Sequence, residues 1–160
     1  RTGRCRHRLA PASTCGADRP LALCHGDWHL GQLVRAGTGA LRLIDLDDLG
    51  LGDPVWDLAR PAAWYAAGLL PIADWGRLLT GYLAAGGPAI AADADPWPLL
   101  ETPARALTVQ SAALALVRAA AADRPVDPIG AAMVSCCRRM VRPPPLTSSD
   151  VPSDPGAPAH

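Results

Sequence analysis

Leu23-Cys24-His25-Gly26-Asp27-Trp28-His29-Leu30-Gly31-Gln32-Leu33-Val34 opens the stretch on which the reading of this chain turns. After a short turn it continues as Leu43-Ile44-Asp45-Leu46-Asp47-Asp48-Leu49-Gly50-Leu51-Gly52-Asp53-Pro54-Val55-Trp56-Asp57-Leu58-Ala59. Six of the fifteen acidic residues and two of the four histidines fall inside it. The first half sets His25, Asp27, His29 and Gln32 on a compact loop. The second half sets Asp45, Asp47 and Asp48 at the end of an apolar strand, then Asp53 and Asp57 around a helix start. The segments downstream are rich in alanine and leucine and read as helices that can wall such a site.

The spacing suggests a division of labour. Asp27 and the amide of Gln32 lie five residues apart on one loop. A carboxylate there can accept a proton from a hydroxyl, and an amide oxygen can ligate a hard divalent cation. Protein kinases use an H-R-D-x-x-x-x-N loop in this way, with a further aspartate on the metal. Asp45 fills that further position. The strand Leu41-Arg42-Leu43-Ile44 is joined to Gln32-Leu33-Val34-Arg35 by Ala36-Gly37-Thr38-Gly39, which reads as a hairpin. Such a hairpin is expected to fold Asp45 back beside Asp27, with both carboxylates facing one cavity.

The two blocks together resemble the aminoglycoside phosphotransferases and their choline-kinase-like relatives. H-G-D-W-H-L-G-Q is similar to that family's H-G-D-x-H-x-x-N loop, and L-I-D-L-D-D-L-G-L-G-D-P-V-W-D-L-A to its I-D-x-[DE]…G-D-P-x-x-D-L-A segment. The blocks come in the family's order, and the likeness runs from about residue 20 to about residue 141. It implies an α+β, mostly helical fold: the C-terminal lobe of a protein-kinase-like fold, with a short β-hairpin carrying the catalytic and metal-binding loops. It also implies that Asp27 is the catalytic base, Asp45 a magnesium ligand, and Gln32 the occupant of the second metal-ligand position, where the family has Asn. By the same resemblance the cofactors are Mg2+ and ATP. Asp57, a carboxylate among apolar neighbours, must be hydrogen-bonded to be tolerated. It reads either as an exposed first-turn aspartate or, as the resemblance implies, as the acceptor of backbone N–H bonds from the His25–Asp27 loop.

Composition sets bounds. A chain of 160 residues is long enough for one domain with a real core. Formal net charge is zero and the pI is about 7.1, which gives no support to nucleic-acid or anionic-membrane binding. All fifteen basic residues are arginine, and lysine, asparagine and phenylalanine do not occur. The apolar run over residues 61–73 is shorter than the roughly 20 residues a membrane-spanning helix needs. Five cysteines, an odd number, with no apolar leader after Arg1-Thr2-Gly3-Arg4-Cys5-Arg6-His7-Arg8, are expected to be reduced thiols in a cytoplasmic protein. Cys136-Cys137 is a vicinal pair on a helix and reads as packing.

Residues 1–19 are expected to form a poorly ordered arm, 20–142 the kinase-like lobe, and 143–160, rich in Ser, Asp and Pro, a disordered tail. Leu21-Ala22-Leu23-Cys24 reads as a short buried strand delivering His25 to the loop. Gly52-Asp53-Pro54 is a helix start with Asp53 as N-cap and Pro54 at the first helical position. Helices are then expected over 74–85, with Trp75, Leu78, Leu79, Tyr82 and Leu83 on one face, and over 98–122, apolar nearly all round and so buried. Asp127-Pro128 opens a last helix with the stripe Ile129, Ala132, Met133, Cys136 and Met140.

His25 reads as a loop brace, His29 and Asp47 as loop-supporting or near substrate, and Trp28 as a packing anchor or a stacking platform. Asp93, Asp95 and Glu101 lie near one helix entrance, either as a solvated connection or as a contact for a cationic substrate.

Three functions are expected, in this order. The first is ATP-dependent phosphoryl transfer to a hydroxyl of a small molecule, aminoglycoside-like or amino-alcohol. This sequence carries no G-x-G-x-x-G or Walker-type turn and no lysine, so the N-terminal lobe is read as absent, and a truncated form with little activity alone is expected. The second is a non-catalytic remnant acting as a binding module. The third is a metal-dependent hydrolase using His25, Asp27 and His29.

Overall fold

A computed structural model describes residues 21–141. Over them the order is β1 (Ala22–Cys24), β2 (Leu33–Arg35), β3 (Leu41–Leu43), β4 (Gly50–Gly52), α1 (Val55–Ala66), α2 (Ile72–Ala84), α3 (Trp97–Ala121) and α4 (Pro128–Val141). The chain is thus α+β and mostly helical, as expected. The arm and tail, with Cys5, Cys15, His7 and His160, lie outside the described residues. Among the described residues, no helix is long and apolar enough to cross a membrane.

The strands form two nested antiparallel pairs. β2 and β3 make the expected hairpin, with Leu33 opposite Leu43 and Arg35 opposite Leu41. The ladder runs one step further, because the Ile44 amide donates to the Gln32 carbonyl at 2.9 Å. That step holds Gln32 beside Asp45. β1 pairs outside this hairpin with β4, Ala22 opposite Gly52 and Cys24 opposite Gly50. β1 is not the buried strand that its composition suggests, since Leu23 is 68% exposed. A two-stranded ribbon has no second layer over one face, and alternate side chains stay in solvent.

The core lies in the helices. Val55, Leu58, Ala62 and Ala63 of α1 pack with Trp75 of α2, with Ala89 and Ile90, and with Leu100 and Ala104 of α3. Tyr65, Trp75 and Trp97 form a triangle of rings with centroids 5.6, 5.7 and 6.0 Å apart. The indoles and phenol each contribute roughly 150–250 Å² of burial to that junction. The Val55 amide donates to Asp53 Oδ1 at 3.1 Å, the expected N-cap, and Gly130 N donates to Asp127 Oδ1 at 2.8 Å at the start of α4.

α3 packs against both α1 and α4. Its inward positions, Leu100, Ala104, Thr108 and Ala112, recur every four residues. The expectation of a helix buried all round fails: Val109, Leu116 and Val117 are exposed. α1 and α4 cover only part of its circumference, and composition cannot report how many neighbours a helix has.

Two contacts fix α4. Arg139 donates to the Ala66 carbonyl at 3.2 Å, a cation on the carbonyl end of α1. Gly130 lets α4 approach α3, because a Cβ there would stand 2.5 Å from the Cβ of Ala115 and 2.7 Å from Val126 Cγ1. Gly130→Ala is therefore expected to force the helices apart and cost about 1–3 kcal/mol. Urea unfolding of the two proteins side by side measures it, and an unchanged midpoint would show that the helices part freely.

Candidate active site

Asp57 positions the loop that carries Asp27. From the first turn of α1 its Oδ2 accepts the His25 amide at 2.8 Å and its Oδ1 accepts the Gly26 amide at 3.0 Å. The carboxylate also faces the positive end of α1, which favours a negative charge there. Gly26 sits at φ +84°, where an L side chain is strained, and a Cβ would meet the Asp48 carbonyl oxygen at 2.6 Å. Only glycine lets the loop after β1 turn this tightly against the connection between β3 and β4.

His25 is buried, and its ring fills the turn. Nε2 lies 3.0 Å from the Ile44 carbonyl, and Nδ1 accepts the Asp27 amide at 3.4 Å. It therefore ties Asp27 to the end of the hairpin that holds Asp45. His29 Nδ1 accepts the Gly31 amide at 3.0 Å and starts the single 3-10 turn Leu30–Gln32. Gln32 is buried, and its amide donates to Asp45 Oδ2 at 3.3 Å. Asp45 takes a left-handed backbone, φ 60° and ψ 57°, at the reversal from β3 into the next 3-10 turn. An aspartate in that region is uncommon, and such residues cluster at functional sites.

Asp27 faces a cleft of about 840 Å³. Its rim on one side is Gly26, Trp28, His29 and Asp48, and one wall is Trp56, Arg60 and Trp64 of α1. The opposite wall comes from Leu107, Leu114 and Arg118 of α3 and from Ile129 and Met133 of α4. Trp28, expected either to pack or to stack, is half-buried and lines this cleft and a smaller one of about 260 Å³.

Some expected placements are not found. Asp45 does not line the cleft with Asp27, whereas Asp48, three residues on, does. The left-handed turn at Asp45 directs the chain so that Asp45 meets Gln32 and Asp48 meets the loop. Asp47 is exposed and makes no side-chain hydrogen bond among the described residues. Asp95 caps the Trp97 amide at 3.1 Å and Glu101 pairs with Arg105 at 3.0 Å; neither they nor Asp93 lines the cleft.

Nor do His25, Asp27 and His29 gather as a metal triad. Among the described residues, no three His, Cys, Asp or Glu side chains are grouped to hold a metal ion. Both ring nitrogens of His25, and Nδ1 of His29, are engaged by the backbone instead. Cys136 is buried with its Sγ 3.5 Å from the Ala66 carbonyl, in keeping with packing. Cys24 is buried too, and desolvation first, then the charges of Asp57 and Asp53, pushes its thiol up from the usual range. It is a protonated, inert side chain at neutral pH.

One functional candidate escaped the sequence reading. Arg60, one turn beyond Asp57 on α1, forms an ion pair with Asp27 through Asp27 Oδ1. The spacing Asp57, Arg60 was the available signal, since i and i+3 share a helix face. With Asp57 on the loop backbone, Arg60 is directed to the loop's side chain.

The model of a family described as the phosphotransferase enzyme family matches residues 4–125. No curated protein and no solved structure matches.

Proposed function

The chain belongs to the phosphotransferase enzyme family, and from that premise we propose that it serves magnesium- and ATP-dependent transfer of a phosphoryl group to a hydroxyl of a small molecule. The observation that carries this reading is the position of Asp27: a carboxylate on a loop braced by Asp57 and His25, facing a cleft large enough for a small molecule. Asp27 is the general base. Arg60 holds Oδ1 and so orients the carboxylate, leaving Oδ2 to accept the proton of the acceptor hydroxyl.

Asp45 and Gln32 would hold the magnesium. Their chemistry fits: one carboxylate and one carboxamide, each able to offer a hard oxygen, on side chains that touch through Gln32 Nε2 and Asp45 Oδ2. Magnesium held there would supply positive charge against the charge of the transferred phosphoryl group. Asp45 and Gln32 contribute the fixed carboxylate and amide that locate it, and Asp27 the fixed base, so the protein's share is positioning and electrostatics. Kinase-type sites add a cation and a glycine-rich cover over the phosphates. The sequence has no lysine, so these 160 residues are expected to hold ATP weakly and to turn over slowly until a glycine-rich lobe is supplied.

The test is a phosphoryl-transfer assay with that lobe supplied, over a panel of hydroxyl acceptors, with magnesium titrated. Gln32→Asn is expected to retain magnesium-dependent transfer and Gln32→Leu to lose it. Equal activity in Gln32→Leu would remove Gln32 from the metal site. Absence of transfer from every preparation would overturn the proposal.

A further inference from the structure

α1 has two dissimilar faces. Val55, Leu58, Ala59, Ala62 and Ala63 are buried in the core. Trp56, Arg60 and Trp64, at i, i+4 and i+8, line the cleft on the other face. Trp56 is 38% and Trp64 36% exposed. On a solvent-facing stripe a polar residue would serve the fold as well. Two large indoles left open to water on either side of the arginine that grips Asp27 point to a ligand. Trp28, on the loop of Asp27, supplies a third indole to the same cleft.

The charges of the cleft narrow the ligand. Of its three acids, Asp27 is paired with Arg60, whereas Asp127, which caps the Gly130 amide, and Asp48 keep their charges. Arg118 stands on the α3 wall with no acidic partner among the described residues. With Arg60 and Asp27 neutralising each other, Asp48 and Asp127 face the one guanidinium of Arg118, a surplus of one negative charge that balances a single cation but not several. Indole faces accept a single cation but cannot replace the several carboxylates that a polyamine needs. The volume of about 840 Å³ is also far more than a small amino-alcohol fills, and lies toward the upper part of the roughly 300–1,000 Å³ of small-molecule sites.

We propose that the cleft takes a bulky, mainly apolar alcohol bearing at most one positive charge, seated between Trp56, Trp64 and Trp28 with its hydroxyl toward Asp27, and that it discriminates against polycationic aminoglycosides. This rests on Asp27 as the base of the transfer reaction. The ligand class, however, is tested by binding alone, without nucleotide.

The experiment titrates the 160-residue chain with three probes: erythromycin, a bulky alcohol with one amine; kanamycin, a polyamine alcohol; and choline, a small cation. Tryptophan fluorescence and calorimetry are read together. Erythromycin is expected to quench the indoles and to bind at least about tenfold more tightly than kanamycin or choline. Trp64→Ala and Trp56→Ala each weaken erythromycin. Should either fail to fold, by circular dichroism, Trp64→Phe and Trp56→Phe take their place with a smaller loss. Arg118→Glu narrows the gap to kanamycin.

Tighter binding of kanamycin or choline overturns the proposal, as does erythromycin binding that is absent or indifferent to both tryptophans. The two readings fail separately. Asp27-dependent phosphorylation of kanamycin, with kanamycin the tightest ligand, would sink the ligand class and keep the transfer reaction. Indole-dependent erythromycin binding, with no acceptor ever phosphorylated, would keep the ligand class and sink the reaction.

Discussion

Asp27→Asn is expected to lower phosphoryl transfer by about 100- to 10,000-fold, the contribution of a positioned general base. Asparagine keeps the shape of the side chain and can still accept from Arg60, but it cannot take a proton. The melting temperature should barely move. The Arg60–Asp27 pair has side chains 28% and 40% exposed, and pairs this open to solvent contribute about 0–1 kcal/mol. Activity measured in the lobe-supplied assay, beside a thermal melt of the same protein, separates the two effects. A loss of less than tenfold would mean that the hydroxyl proton leaves by another route. A large fall in melting temperature would make Asp27 a structural residue.

Asp57→Ala should show the opposite profile. It leaves the His25 and Gly26 amides without their acceptor, and a charged hydrogen bond contributes about 1.5–3 kcal/mol. One of the two bonds lies near solvent, where water can substitute, so the expected cost is about 2–4 kcal/mol rather than twice the single-bond figure. For a domain of this size that lowers the melting temperature by roughly 10 °C. Asp57→Asn should recover part of the loss, since its amide oxygen can still accept one of the two N–H groups. A melting temperature within a degree or two of wild type would show that the loop holds its shape without the brace. Hydrogen exchange at the His25 and Gly26 amides gives the local readout, with faster exchange at both expected in Asp57→Ala.

The parts of this site that were legible in the sequence rest on local rules. Asp57 had to be hydrogen-bonded because Leu58 and Ala59 beside it belong to a core-facing stripe, but its donors lie more than thirty residues back and only the family resemblance pointed to them. The hairpin was legible because a glycine-containing turn leaves little freedom of register, although it brings Asp45 to Gln32 rather than into one cleft with Asp27. Gly52-Asp53-Pro54 announced the start of α1 through capping chemistry alone. What could not be read depends on distance in the chain. Gly50-Leu51-Gly52 has no strand character of its own, and it becomes β4 only because β1 lies alongside. Arg60 is one of fifteen arginines, and its grip on Asp27 exists only once α1 is docked under the loop. The wall of α3 and α4 carries no motif. Leu107, Leu114, Ile129 and Met133 read as ordinary core residues until the cleft is seen.

The bare backbone at Gly130 sets how closely α4 approaches α3, and both helices form the wall opposite α1. The groups proposed to react lie within residues 25–60 and this wall within residues 107–133, so the two are separate tracts of sequence. Drift in the second tract can widen, narrow or recharge the opening while the first is left untouched. Residue 130 is the coarse dial, since a single methyl group there shifts a whole helix, and the side chains at 114, 118 and 129 are the fine ones. On the function proposed, substitutions in the wall would change which molecule is accepted and leave the groups that act on it in place.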